Sequence, residues 1–433
     1  MIKIYDIREN KGFDLFDKLA NKNKPGDNQI KKVVDDILDD VMIRKDAALV
    51  DYTKKFDGVE LNALELKVTE EEIREAYESV SPDFIRIINR AISNIYEFHS
   101  KQLEKSWFMT EKEGVFLGQM VRPLETVGVY VPGGTAPLAS SVLMSVVPAC
   151  VAGVENIIVC TPVQKNGKIS PEVIVAAEEA GVTDIYKVGG AQAIGAMAYG
   201  TETIPKVDKI FGPGNMYVAM AKRMVYGYCD VDMFAGPSEI AIVADETAKP
   251  AFVAADMLSQ AEHDVMSSAV LFTNCPELAE KVKVEIEKQQ ASLGRNEVIA
   301  KSLADYSGIV ITESLDESIE LSNLMAPEHL ELCTVDPFSL LSQIKNAGAI
   351  FMGNYSSEPL GDYFAGPNHI LPTSGTARFF SPLSVRDFTK RSSVISYNKY
   401  ALGLEKDDIY KFAMAEGLDA HANAIAIRFK EDK

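Results

Sequence analysis

Histidine is scarce in this chain, with five copies in 433 residues, and cysteine equally so. Cys150, Cys160, Cys229, Cys275 and Cys333 are dispersed and show no C-x-x-C spacing, the pattern of free thiols in a reducing compartment rather than a disulfide framework. Positive charge is in deficit: 44 Lys and Arg stand against 63 Asp and Glu, a net charge of −19. The basic residues form no stripe or tail, which sets aside nucleic acid and anionic membrane as partners. Three catalytic and nucleotide signatures are also missing. No G-x-G-x-x-G follows a strand, "GGAQAIGAM" lacks the lysine and Ser/Thr of a P-loop, and there is no H-E-x-x-H. The opening "MIKIYDIREN" has no basic segment followed by an apolar one, so the expected location is cytoplasmic. Residues Thr126 to Val154 carry no charge, but "VPGGTAP" and Pro148 interrupt them. A buried strand, a loop and a buried helix fit that stretch better than a membrane span.

What is present is enough apolar sequence for two to four domains. The first hundred residues are charge-rich with helical period, one region ending at Gly58 and a second broken near Ser81-Pro82. His99, among Glu and Lys in the last turns of the second, reads as a surface histidine. From Val127 the texture changes to short β-branched runs, "TVGVYVP", "NIIVCTP", "DIYKVGG" and "KIFGPG", that end in Gly/Pro turns and lead into small-residue helices. "EIAIVAD", "SAVLFT", "SGIVIT" and "GAIFMG" repeat the alternation, so the fold class is α/β with parallel sheets. Ligands in such sheets are expected at the carboxyl ends of strands. The tail from about Phe380 loses the alternation and is mainly helical.

Four of the five histidines lie in polar, Gly/Pro-punctuated segments beside acids. "SQAEHD" follows an apolar helix that starts at Pro250; run to about His263, that helix sets Gln260 and His263 on one face at i, i+3. Imidazole with oxygen donors suits zinc or a related divalent ion. His329 follows Glu328 in "APEHLEL", His369 lies seven residues after Asp362 in "GDYFAGPNH", and His421 lies five after Glu416 in "EGLDAH". Such pairs serve metal sites or proton transfer, or they are loop histidines with chance acidic neighbours. The Gly-rich turns cradle anions or are only tight βα turns.

These stretches also resemble the histidinol dehydrogenase family. The resemblance is carried in order by "GVYVPGG", "VGGAQAIGAMAYGT", "KIFGPGN", "FAGPSE", "QAEHD", "APEHLEL", "LGDYFAGPNHILPT", "ARFFSPLSV" and "EGLDAH", over residues 120–430. It implies oxidation of L-histidinol to L-histidine by two NAD+, with one zinc per active site, in a homodimer. It implies metal ligands Gln260, His263, Asp362 and His421, the last from the partner subunit. His329 becomes the general base and Glu328 the activator of water. Ser238, His369 and Glu416 join the metal ligands and His329 in contacting substrate, while Tyr130, Gln192 and Asn215 line the NAD site. The implied architecture is two incomplete Rossmann-like domains: an N-terminal arm (1–24), a discontinuous first domain (25–127 and 238–380), a second (128–237) and a dimerisation tail (381–433). The alternatives are a related metal- and NAD-dependent dehydrogenase of another small alcohol, a zinc hydrolase, and a non-catalytic binding protein with two α/β lobes.

Overall fold

The computed structural model describes residues 2–9, 13–21, 28–133, 138–233 and 236–430. Its strands in chain order are β1 (Lys3–Asp6), β2 (Trp107–Met109), β3 (Val115–Pro123), β4 (Thr126–Tyr130), β5 (Asn156–Cys160), β6 (Asp184–Tyr186), β7 (Lys209–Phe211), β8 (Asp230–Val231), β9 (Glu239–Ala244), β10 (Ser268–Thr273), β11 (Gly308–Ile311), β12 (His329–Cys333), β13 (Ala349–Met352) and β14 (Thr389–Tyr397). Two sheets are parallel throughout, in the orders β1-β11-β10-β9-β12-β13 and β6-β5-β4-β7-β8. The α/β class follows from the covering helices. Along β9, Ile240, Ile242 and Ala244 face one apolar cluster, and Ala241 and Val243 face another. A strand with both faces buried needs this unbroken apolar run, and the parallel sheet is its ordinary home.

The middle sheet has the same construction, and the uncharged stretch becomes β4 and a buried helix, Ala139–Ala152. Among the described residues no helix is long and apolar enough to cross a membrane. The N-terminal helices pack on this sheet's side: Asn28–Arg44 lies against Gly190–Tyr199, and Pro82–Ser100 against Ala139–Ala152. The sequence grouped 25–127 with 238–380, whereas the apolar faces of these helices join the clusters of β4, β5 and β7. Residues 3–6, read as part of an arm, form the edge strand of the six-stranded sheet.

Three other expectations change. The first helical region is two helices, Asn28–Arg44 and Asp46–Phe56, interrupted at Lys45 with φ 51°. His99 is wholly buried rather than on the surface. It continues the stripe Ile88, Ala91, Ile95, donates from Nδ1 to Gln102 Oε1 (2.7 Å), and burial lowers its pKa. The tail contains a strand as well as helices: β14 pairs antiparallel with β3 over nine residues in a sheet ordered β14-β3-β2. These residues, with helices Lys399–Ala415 and Asp419–Ala426, make a separate unit, 103–123 with 389–433. Both large parallel sheets lie in the other unit.

Candidate active site

Two strand starts and one short helix build the site. Glu239 opens β9, and His329 opens the neighbouring strand β12, where it pairs with Ile240. The Glu239 main chain serves both Glu328 and His329. Its N–H donates to Glu328 Oε2 (2.8 Å), and its carbonyl accepts from His329 Nδ1 (3.0 Å). That second bond places the imidazole proton on Nδ1 and leaves Nε2 as the basic nitrogen. Glu328 and His329 stand 3.7 Å apart, too far for a hydrogen bond, so each is held by the strand rather than by the other. Burial pushes His329 down to about 4, against the pull of the Asp362 charge. Burial also raises Glu328 well above the usual carboxylate range.

The helix Glu358–Tyr363 brings two carboxylates to a third group. His263, Glu358 and Asp362 offer ligand atoms within 4.8 Å of one another. Gly361 lets this helix lie close, because a Cβ there would meet the Phe351 ring at 2.7 Å. His369 donates from Nδ1 to the Asp362 carbonyl (3.1 Å), and its ring stands 3.5 Å from that residue's carboxylate. Asn368 anchors the segment by donating from Nδ2 to the Met144 carbonyl of the buried helix Ala139–Ala152 (2.6 Å). Gln260 lies in the last turn of the helix Pro250–Ala261, which stops two residues earlier than expected. Its side chain is completely buried, and neither amide atom has a hydrogen-bond partner among the described residues. A buried amide with nothing to bond is costly, which marks it as a group awaiting a ligand. Ser238, half-buried, immediately precedes β9.

The chain therefore gathers Glu328, His329, Ser238, Gln260, His263, Asp362 and His369 around the amino ends of β9 and β12 and the loops before them. That differs from the expected carboxyl ends. The loops at these amino ends are short and carry the polar residues, while the Gly-rich turns belong to the other sheet. His421 and Glu416 lie in the separate unit, exposed. Glu358 is the functional candidate that the sequence pattern does not mark; it shares a helix face with Asp362 at i, i+4, but only once the six-residue helix Glu358–Tyr363 is seen.

The second sheet holds the turns at its carboxyl edge. Strand order reverses between β4 and β7, the crevice where such sheets bind nucleotides. Tyr130 ends β4, is buried, and accepts the Gly190 N–H (3.1 Å). The helix Gly190–Tyr199 has no side-chain cap at Gly189, so beyond the Gly190 N–H held by Tyr130 the next N–H groups of its first turn are available to an anion. Gln192 Oε1 is buried without a partner. Asn215 caps the next helix through Tyr217 and Val218 N–H. Gly212, at φ 107°, passes so close to Tyr130 that a Cβ would overlap its carbonyl oxygen. The buried Lys222–Asp232 ion pair holds this loop: Lys222 Nζ donates to the Gly212 carbonyl (2.9 Å), and Asp232 accepts the Gly212 N–H (2.8 Å). Lys222→Met strands Asp232 in the interior, at a cost of about 3–5 kcal/mol. A lower melting temperature together with a raised KM for the nucleotide is the expected result, and an unchanged KM removes the loop from cofactor binding.

Residues 20–429 match the histidinol dehydrogenase family. Histidinol dehydrogenase of Caldanaerobacter subterraneus subsp. tengcongensis is 57% identical over 432 residues, covering all of both chains. That of Bacillus subtilis is 55% identical over 403 residues, 93% of this chain and 94% of its own. The chain belongs to the histidinol dehydrogenase family. A histidinol dehydrogenase crystal structure from Elizabethkingia anophelis superimposes with a TM-score of 0.92 at 40% identity, covering 99% and 98% of the two chains. As a family member the chain is an enzyme of the oxidoreductase class, and the His263–Glu358–Asp362 cluster gives it the makings of a metal site.

Proposed function

We propose that this chain oxidises L-histidinol to L-histidine in two NAD+-linked steps at a zinc site completed by a second copy of the chain. One observation carries the chemistry: the main chain of one residue, Glu239, orients a buried base and a buried carboxylate beside a convergent His–carboxylate cluster. The donor set fits zinc, which takes imidazole nitrogen and carboxylate or amide oxygen, and the unpartnered Gln260 amide supplies a waiting oxygen. Gln260, His263 and Asp362 would hold the metal, joined by His421 of the second copy. The uncapped helix at Gly190 and the buried Gln192 oxygen fit a dinucleotide, with Tyr130 and Asn215 at the same strand ends. When bound, zinc supplies an anchor for the substrate's imidazole and amine lone pairs, and NAD+ supplies the hydride acceptor.

The chain's own residues do the rest. His329 Nε2 takes the hydroxyl proton as hydride leaves the carbinol carbon, giving histidinal. Glu328 then deprotonates water for attack on the aldehyde; a carboxylate with a raised pKa is the stronger base. The resulting hydrate again offers a hydroxyl to His329. His369, oriented by the Asp362 carbonyl, and Ser238 contact substrate, and Glu416 meets its ammonium. The separate unit exposes Ile395 (73%), Tyr400, Leu404 and Phe412 (69%), an apolar surface of the kind covered by a partner subunit.

Two NADH per L-histidinol is the expected stoichiometry in zinc-loaded enzyme, lost on chelation and restored by zinc. No NADH from histidinol in loaded enzyme moves the reading to another alcohol or to hydrolysis. The pH profile gives a second check. Protonation of His329 on the acid side removes the base, and burial has lowered that pKa to about 4. The acid limb of kcat/KM is therefore expected below about pH 5 rather than near the ordinary histidine value of ~6.5. An acid limb at that ordinary value assigns the base elsewhere.

A further inference from the structure

We infer that Glu358 is itself a metal-site side chain, making with His263 and Asp362 a divalent-cation site within one chain that holds zinc without His421. The inference rests on the zinc reading above and extends it to a residue outside the expected ligand set. Its ligand atom lies within 4.8 Å of those of His263 and Asp362. Glu358 is 1% exposed, and its Oε1 has no hydrogen-bond partner among the described residues. The other oxygen receives a long bond from Ser259 Oγ, 3.4 Å, and the carboxyl group faces that of Asp362 within hydrogen-bonding reach. Among the described residues no lysine or arginine pairs with Glu358 or Asp362.

Glu358 is buried, Asp362 partly buried and His263 exposed; a buried carboxylate converges on a second one when something positive stands between them. A proton can do this for two carboxylates alone, but the imidazole of His263 meets them at the same point. Imidazole plus two carboxylates is a donor set for a divalent transition metal. The position is built rather than fortuitous. Glu358 is the first residue of its helix, and its own N–H donates to Glu331 Oε1 (2.9 Å), a buried acid on β12. That bond fixes the start of the helix against the strand that carries His329. The i, i+4 spacing then sets Asp362 one turn on, on the same face.

The consequence is an order of assembly. The ligands from one chain, Glu358 with Gln260, His263 and Asp362, bind the ion first, and the residue from the second copy adds to an occupied site. The test is zinc affinity by competition with a chromophoric chelator, on full-length protein in wild type, Glu358→Gln, His421→Ala and the double variant. Cobalt(II) absorption reports the coordination directly. His421→Ala is expected to keep one zinc per chain. Glu358→Gln weakens zinc by at least about tenfold and changes the cobalt spectrum, and the double variant loses stoichiometric zinc. Glu358→Asp, which keeps the charge on a shorter arm, falls between wild type and Gln, and stands in if Gln compromises folding. Wild-type affinity and spectrum in Glu358→Gln, with a double variant no weaker than His421→Ala, overturns the inference. Asp362→Ala separates the two levels: if it too leaves zinc affinity unchanged, the zinc site itself is misassigned.

Discussion

Replacing His329 with alanine is expected to lower both the oxidation of histidinol and that of histidinal by about 10²–10⁴-fold, the usual contribution of a positioned general base. Glu328→Gln is expected to behave differently. It keeps the first oxidation, with histidinal accumulating or leaving, and loses the second by a similar factor. The geometry supports this separation because the two side chains do not bond to each other. Each hangs from the Glu239 main chain, and a glutamine at 328 still accepts its N–H through the amide oxygen. The measurement is NADH formation from histidinol and, separately, from supplied histidinal. Equal loss of both in Glu328→Gln removes the water-activating role.

A mixed dimer gives the second large effect. A His421→Ala chain and a His329→Ala chain are each expected to be inactive alone. In a heterodimer, the site built on the His421→Ala chain keeps its own His329 and borrows an intact His421. The opposite site lacks both. Random reassortment of equal amounts yields half heterodimers with one working site in two, so activity recovers to about a quarter of wild type. No recovery, with heterodimers shown by mass, places His421 in its own chain's site.

Much of this was readable before any coordinates. β9 and β12 were legible because a strand buried on both faces must be apolar at every position, and "EIAIVA" is. Gln260, His263, Glu328, His329, Asp362 and His369 stood out because polar residues clustered at the edges of such runs have few structural uses. β14 was not legible: "TKRSSVISY" is mostly exposed, so its ladder with β3 is held by backbone bonds that leave no apolar pattern. His99 misled for the opposite reason, since its charged neighbours lie on other faces of a helix whose buried stripe it completes. The placement of the site at amino rather than carboxyl strand ends depends on how chain segments far apart in sequence meet, which local periodicity does not encode. Glu358 needed only the i, i+4 rule applied to a six-residue helix, but a helix that short gives too little period to be read as one.

The Glu239 main chain has a genetic corollary. The groups that orient Glu328 and His329 are main-chain atoms, which every amino acid other than proline provides in full. An alanine scan passes over them, since no side-chain deletion at 239 removes the tautomer-setting carbonyl. Harmful alleles of this feature are expected to map to residues that keep β9 and β12 in register, such as the Ile240, Leu330 and Ile242 packing positions. Such alleles lose core packing together with the aim of the base, so their loss of activity is expected to exceed what their loss of stability accounts for.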